Sequence, residues 1–210
     1  PISLMRVWKV QFIVPESTHR HSAAMVSKAV QTKIVAFGIT NCILEVGIGF
    51  WALDLLVSRD APIALGALGS AILSYGIAAS RLSFAYFQPN PAVVIKLAVA
   101  AIMLGAAIVC LFDDPYITMV GLTVAATGIA PLFGLGAFRV SEGFAHADLR
   151  ISRYMMGTSF SFGFAPFILA IVFDNFGYVV GYSALIPIAL GSYFMWKING
   201  PTKEGLPVSN

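Results

Sequence analysis

The feature that most constrains this chain is a series of long apolar stretches separated by short polar turns. The stretches cover residues 34–57, 62–80, 92–112, 116–138, 154–173 and 178–196. A helix needs about 20 mostly apolar residues to cross the hydrocarbon core of a bilayer. Each stretch is close to that length. The sequence therefore predicts an all-α membrane protein, a bundle of six transmembrane helices.

Composition supports the membrane class. Of the 210 residues, 58% are hydrophobic and 11% are charged, whereas a soluble domain carries roughly a quarter charged residues. The net charge of +3 is better explained by the orientation of membrane helices than by binding to nucleic acid. We therefore expect the lipid bilayer, and no nucleic acid, among the partners of this chain.

The breaks between the stretches have the residues expected of turns. Gln88-Pro89-Asn90-Pro91 cannot continue a helix, and Asp113-Asp114-Pro115 forms a tight polar turn. Residues 1–33 are polar and basic and predict a cytoplasmic leader or linker. Residues 197–210 are rich in Gly and Pro and predict a cytoplasmic tail. The predicted organisation is thus a leader, a transmembrane domain over 34–196, and a tail.

Basic residues indicate how the helices are oriented. Of the 13 Lys and Arg, eleven fall on one predicted side, Arg59 falls on the other, which also carries four Asp residues, and Lys96 lies one turn into the third stretch. Cytoplasmic loops are enriched in Lys and Arg. Both termini are therefore predicted to be cytoplasmic, and an even number of helices agrees with this. The eleven residues are Arg6, Lys9, Arg20, Lys28, Lys33, Arg81, Arg139, Arg150, Arg153, Lys197 and Lys203.

Glu45 is the ionisable residue at greatest predicted depth. It lies about 16 Å into the first stretch at helical rise, near the midplane, where charged groups are costly and usually functional. Asn41 is one turn earlier and shares its face. One interpretation is a proton-coupling or substrate-binding carboxylate. The alternative is a protonated Glu45 that hydrogen-bonds to Asn41 or to another helix.

Three other groups are candidates for weaker reasons. Trp51 and Asp54, near the outer end of the first stretch, could form the rim of a cavity, or they could simply anchor the helix at the interface. Thr127 could face a central cavity, or it could pack between helices. Gly128 and Pro131 predict a bend in the fourth helix, and Pro166 and Pro187 predict weak points in the fifth and sixth.

The sequence contains no pattern typical of an enzyme. It has no His and Glu pair at metal spacing, no phosphate-binding Gly loop and no G-x-S-x-G turn. An intramembrane enzyme would need two polar groups converging at one depth, and no familiar pair is present. We therefore predict no catalytic residue, no bound metal and no cofactor.

Three stretches resemble the C-terminal six-helix half of the major facilitator superfamily, near its bacterial fucose-permease-like branch. The first is Glu45 followed six residues later by Trp51. The second is the helix over 66–82 that ends in Arg81, with Ser80 where the branch has Gly. The third runs from Gly128-Ile-Ala-Pro131 through Glu142 and Arg150 to Ala165-Pro166. Phe50 also departs from the branch, which has Asp before the Trp.

The resemblance implies half of a transporter. Its fold would be half of a major facilitator fold, working with a missing N-terminal six-helix half in a bacterial inner membrane. Its function would be secondary active transport of a small solute by alternating access. Arg81, Glu142 and Arg150 would form a cytoplasmic gate, although ordinary cytoplasmic positive charge explains them equally well. The alternatives are a half-size protein that works as a homodimer and a scaffold that transports nothing.

Overall fold

The structure is a computed structural model that describes residues 27–87, 89–142, 144 and 146–200. The described residues contain helices, turns and loops but no β-strand, so the prediction of an all-α protein is confirmed for this part of the chain. Most of the predicted leader and tail lies outside it. The helices are α1 (Lys28–Gly49), α2 (Ala52–Ser58), α3 (Ile63–Phe87), α4 (Pro91–Leu111), α5 (Pro115–Ile129), α6 (Leu132–Ser141) and α7 (Ala147–Ile198).

Five of the described helical stretches are long and apolar enough to span a membrane. They are α1, most of α3, α4, the run formed by α5 and α6, and α7. Several such helices in one chain are the mark of a multi-pass membrane protein. The predicted membrane class is thus supported by the length and apolarity of the helices that form.

The 52-residue α7 folds back on itself at Gly177. That residue has φ 79° and ψ 166°, a conformation that glycine adopts without a Cβ clash. The ring centroids of Phe173 and Tyr182 are 5.7 Å apart, whereas nine residues of straight helix would separate them by about 13 Å. The halves over 147–176 and 178–198 therefore run antiparallel, and the reversal falls between the predicted apolar stretches 154–173 and 178–196.

Helices α4 and α5 begin where the turn chemistry predicts. The Asn90 side chain accepts a hydrogen bond from the backbone N–H of Ala92 at 2.9 Å. Asp114 does the same for Tyr116 at 2.9 Å and Ile117 at 3.0 Å. A proline follows each of these caps, where its missing N–H costs nothing. Side-chain capping and proline together fix both starts.

Three helices extend further at one end than the apolar stretches predicted. Helix α1 begins at Lys28, α3 continues to Phe87 and α7 begins at Ala147, each about two turns beyond the predicted boundary. The extra turns contain Lys or Arg, which ended the apolar stretch in the sequence. A helix can continue past a charged side chain whose long stem reaches the headgroups, or whose charge is paired, as that of Arg81 is with Glu45. Apolarity therefore underestimates helix length here.

Two helical runs are interrupted. Phe50 and Trp51 separate α1 from α2, and Ala130 and Pro131 separate α5 from α6. The second interruption falls at Pro131, where a bend was predicted, and both linking residues keep right-handed helical angles. The weak points predicted at Pro166 and Pro187 are not breaks, because Gly177 is the one residue with non-helical angles within α7, all of which is described.

Small residues let the central helices approach closely. A Cβ on Gly157 of α7 would lie 2.2 Å from the carbonyl oxygen of Val35, and one on Gly38 of α1 would lie 2.3 Å from that of Tyr154. Gly105 and Gly121 play the same part between α4 and α5. By contrast, α3 packs at the edge, mainly on α2 and α5. Helix α1 thus lies at the centre and α3 at the periphery.

The helix ends sort into two sets. Contacts join residues 51–60, 109–118 and 173–179 at one end, which we name the acidic end after Asp60, Asp113, Asp114 and Asp174. The other, which we name the basic end, carries Arg139, Arg150, Arg153 and Lys197. There Arg139 contacts Trp196, and Lys28 and Arg153 line one cavity.

Candidate functional site

An ion pair between α1 and α3 is the main polar feature in the apolar part of the bundle. Nη2 of Arg81 lies 2.7 Å from Oε1 of Glu45. Glu45 lies 17 residues after the start of α1 and 13 before the end of α2, close to the middle of that helical run. The side chains are 44% exposed for Arg81 and 22% for Glu45. The pair is therefore only partly covered by this chain.

Arg81 is held by a second contact at the break between α5 and α6. Its Nε donates to the carbonyl oxygen of Ala130 at 3.2 Å, and its guanidinium lies 5.9 Å from the ring centroid of Phe133. In lipid, a broken helix is tolerated only when its freed backbone groups find partners. Arg81 therefore supports the break and faces Glu45 at the same time.

Asn41 joins four helical segments in a buried network. Its side-chain N–H groups donate to the carbonyl of Leu132 at 3.2 Å and to the hydroxyl of Tyr154 at 3.0 Å. Its oxygen accepts from the hydroxyl of Ser192. Tyr154 and Ser192 lie on opposite halves of α7. Asn41 is 4% exposed, so within this chain its side chain connects helices.

Two cavities lie on either side of the ion pair. The larger, about 390 Å³, is lined by Arg81 and by residues of α4, the α5–α6 break and α6. The smaller, about 240 Å³, is lined by Glu45 with residues of α1, α3 and the first half of α7, including Ser74 and Phe162. The guanidinium thus faces one space and the carboxylate faces the other.

The three predicted gate residues do not meet one another. Arg81 pairs with Glu45. Glu142 ends α6 and lies 3.6 Å from Nη1 of Arg139. Arg150 is buried, donates from Nε to the Val140 carbonyl at 2.6 Å and lies 3.5 Å above the Phe144 ring. In this conformation the site therefore consists of Glu45 and Arg81, and Arg81 is the one predicted gate residue in it.

The remaining sequence candidates lie apart from the pair. Thr127 is exposed, donates to the Val124 carbonyl at 2.7 Å and lines a groove between α4 and α5. Trp51 stacks edge-on against Phe173, with ring centroids 5.5 Å apart, at the break between α1 and α2. Asp54 is exposed on α2. Trp51 thus packs at the α1–α2 break, and neither Thr127 nor Asp54 contacts Glu45.

Arg59 has a structural role that the sequence did not indicate. Its guanidinium donates to the carbonyls of Val109 and Phe112, both at 2.6 Å, and to the hydroxyl of Thr118. These carbonyls belong to the end of α4, where helices leave acceptors unsatisfied. The lone basic residue of the acidic end is thus a helix cap that charge counting could not reveal.

The partnership of Arg81 with Glu45 had a weak signal in the sequence. No Gly, Pro, Asn or Asp occurs between Arg81 and Gln88-Pro89, so the helix had room to continue past Arg81 and to bring it within reach of α1. Tyr154 and Ser192 gave no such signal, because one hydroxyl in an apolar helix looks like another. Their roles depend on which helices become neighbours.

Among the described residues, no group of three or more His, Cys, Asp or Glu is placed to hold a metal ion. No protein-family model, curated protein sequence or solved structure matches the chain. The functional argument therefore depends on the ion pair, the two cavities and the broken helices.

Proposed function

We propose that this chain is one six-helix half of a secondary transporter that moves a small solute across a bacterial inner membrane. The observation that carries the proposal is the Glu45–Arg81 ion pair, 2.7 Å long, among apolar helices and between two cavities. Ion pairs away from bulk water are a weak source of stability. Inside membrane proteins such groups usually serve transport or proton relay.

The proposal needs six membrane crossings, and the seven described helices supply them when interrupted runs are counted once and α7 is counted twice. The runs α1–α2 and α5–α6 each count as one crossing, α3 and α4 count as one each, and α7 counts as two because it reverses at Gly177. The basic end would then face the cytoplasm under the positive-inside rule. The same rule would place residues 27 and 200 on the cytoplasmic side.

Alternating access would use the interrupted helices. The α5–α6 break meets the ion pair through the contact between Arg81 and Ala130. Discontinuous helices near binding sites are typical of transporters. In this mechanism the Glu45 carboxylate would exchange a proton, and the partnership with Arg81 would change as the half rocks.

The partly exposed ion pair implies a covering unit. Glu45 and Arg81 would be costly against lipid tails, so we expect either an N-terminal six-helix half or a second copy of this chain to cover them. A homodimer would also explain the exposure. The mass of the purified protein expressed from its full reading frame distinguishes the two cases.

The test replaces Glu45 with Gln in that protein, reconstituted in liposomes containing a pH-sensitive dye. Solutes are added in turn: a hexose, a monocarboxylate, an amino acid and a quaternary amine. We expect one of them to drive proton movement in the wild type, and the Glu45→Gln variant to lose that coupling. Thr123→Ala is the control, because the Thr123 hydroxyl bonds to the Met119 carbonyl of its own helix.

Two results would count against the proposal. One is wild-type proton movement, with wild-type pH dependence, in the Glu45→Gln variant. The other is the absence of any solute-driven flux or counterflow in the folded wild type across the whole panel, which would favour a scaffold that transports nothing.

A further inference from the structure

The larger cavity has an unusual lining for a solute site. It is a partly open cavity of about 390 Å³ between α3, α4 and the α5–α6 break, within the range of small-molecule sites. Arg81 is the one charged side chain among the described residues of its lining. The others are apolar, and two are phenylalanines. The lining residues are Arg81, Pro89, Pro91, Val94, Ala130, Pro131, Phe133, Gly134, Leu135 and Phe138.

Arg81 presents unused donors to this cavity. Nε donates to Ala130 and Nη2 to Glu45, while Nη1 makes no hydrogen bond within the described part of the chain. A guanidinium carries five N–H donors in a planar fork that matches a carboxylate. The cavity therefore offers a fixed anion-binding group whose side chain is 44% exposed.

The walls select against a polyhydroxylated solute. Each hydroxyl that leaves water for an apolar wall without a partner costs free energy. The Ala130 carbonyl is already an acceptor for Arg81. A ring or short alkyl chain suits the phenylalanine and proline walls instead. The site thus favours one anionic group on an apolar body.

Resting on the proposed transport function, we propose that the solute is a small apolar monocarboxylate that binds Arg81 in place of Glu45. The solute carboxylate takes the guanidinium donors, and the displaced Glu45 carboxylate binds one proton from the smaller cavity. Charge balances, because one anion and one proton enter together and Arg81 remains cationic. No other bond forms or breaks.

The surroundings of Glu45 leave it as the proton acceptor in this exchange. The ionisable groups facing it are Arg81 from α3, Tyr154 from α7 and Cys42 on α1 itself. Between Tyr116 and Arg139, α5 and α6 contain no ionisable side chain. Tyr154 is already bonded to Asn41, and Cys42 is buried.

The experiment measures benzoate binding by calorimetry to the protein expressed from its full reading frame, in nanodiscs of zwitterionic lipid. Benzyl alcohol and a hexose serve as neutral comparisons. We expect benzoate to bind and the neutral compounds to bind weakly or not at all. Arg81→Gln should weaken benzoate binding by about tenfold or more, because a hydrogen bond to a charged group is lost. Arg153→Gln, an arginine outside the cavity, should bind as the wild type does.

The competition with Glu45 gives a second readout. Between about pH 6 and 8, benzoate is fully ionised. In that range wild-type affinity should rise as the pH falls, with uptake of one proton, and Glu45→Gln should bind more tightly and without proton uptake. The Arg81→Gln variant leaves Glu45 unpaired and could misfold for that reason. The Glu45→Gln/Arg81→Gln double variant removes both charges, so it should fold, and it should not bind benzoate.

Several outcomes would overturn the inference. Unchanged benzoate affinity in the double variant or in folded Arg81→Gln would remove Arg81 from the site. Preference for the hexose would reject the substrate class. Loss of benzoate binding when anionic lipid replaces the zwitterionic lipid would assign Arg81 to a lipid headgroup.

Transport and binding can fail separately. Arg81-dependent benzoate binding without benzoate flux in liposomes would support the site and count against the proposed transport function. Hexose-driven proton flux that persists in Arg81→Gln would support transport and overturn the monocarboxylate.

Discussion

At the scale of single residues, four arginines have the same structural role. Arg59, Arg81, Arg139 and Arg150 each donate to a backbone carbonyl at or near the end of a helix. Helix ends leave carbonyls without partners and carry partial negative charge. The Ala130 carbonyl lies in the apolar part of the bundle, where no water would replace the arginine. A positive side chain that charge counting assigns to membrane orientation can therefore also be a hydrogen-bond donor to a helix end.

Arg59 gives the clearest test at this scale. Its side chain is 8% exposed, and Arg59→Met would leave the carbonyls of Val109 and Phe112 unpaired. We expect a loss of about 1–3 kcal/mol in the free energy of unfolding, the cost of unsatisfied buried acceptors. Unfolding by SDS in mixed micelles measures it.

The matched control for Arg59 is its ion-pair partner. Asp113 lies 3.8 Å from Arg59 and is 95% exposed, so Asp113→Asn should change stability by less than about 1 kcal/mol. If Asp113→Asn were as costly as Arg59→Met, the ion pair and not the helix cap would be the important contact.

At the scale of elements, the contact between α1 and α7 depends on missing side chains. Gly38 and Gly157 bring the two backbones together, and each would place a Cβ within 2.5 Å of a carbonyl oxygen on the other helix. Neither backbone can move aside as a flexible side chain would. This contact also brings Asn41 within reach of Tyr154, so helix packing and the polar network depend on each other.

Gly157→Ala tests this contact. The added methyl should push α1 and α7 apart and lower the free energy of unfolding by about 1–3 kcal/mol, as overpacking does. Gly163→Ala on the same helix is the control, because a Cβ there meets nothing within 4 Å. SDS unfolding of both variants gives the comparison, and equal stabilities would argue against the close approach.

At the scale of the whole molecule, the two ends differ in charge and the middle is apolar. Large hydrophobic side chains remain exposed along α3, α4 and α7, as expected where lipid replaces water. The described helices therefore form a body whose surface suits a bilayer. Its two ends should lie on opposite faces of the membrane.

Labelling with a membrane-impermeant thiol reagent in intact bacterial cells tests this orientation. On a background with Cys42→Ala and Cys110→Ala, cysteine at Asp60 should react from outside, and cysteine at His146 should react only after the cells are opened. Both residues lie at helix ends, Asp60 after α2 and His146 before α7. The reverse pattern, or reaction of both sites in intact cells, would contradict the positive-inside assignment.

The sequence alone determined the class of the molecule and where most of its helices turn. Apolar length selects lipid as the solvent, and Asn90, Asp114 and their prolines act within a few residues of themselves, so both signals can be read locally. The partners of the polar side chains were decided by tertiary structure. Glu45 and Arg81 are 36 positions apart, and Asn41 and Ser192 are 151 apart. Periodicity gives the depth and face of a side chain along one helix, but only the packing of helices determines which face it meets.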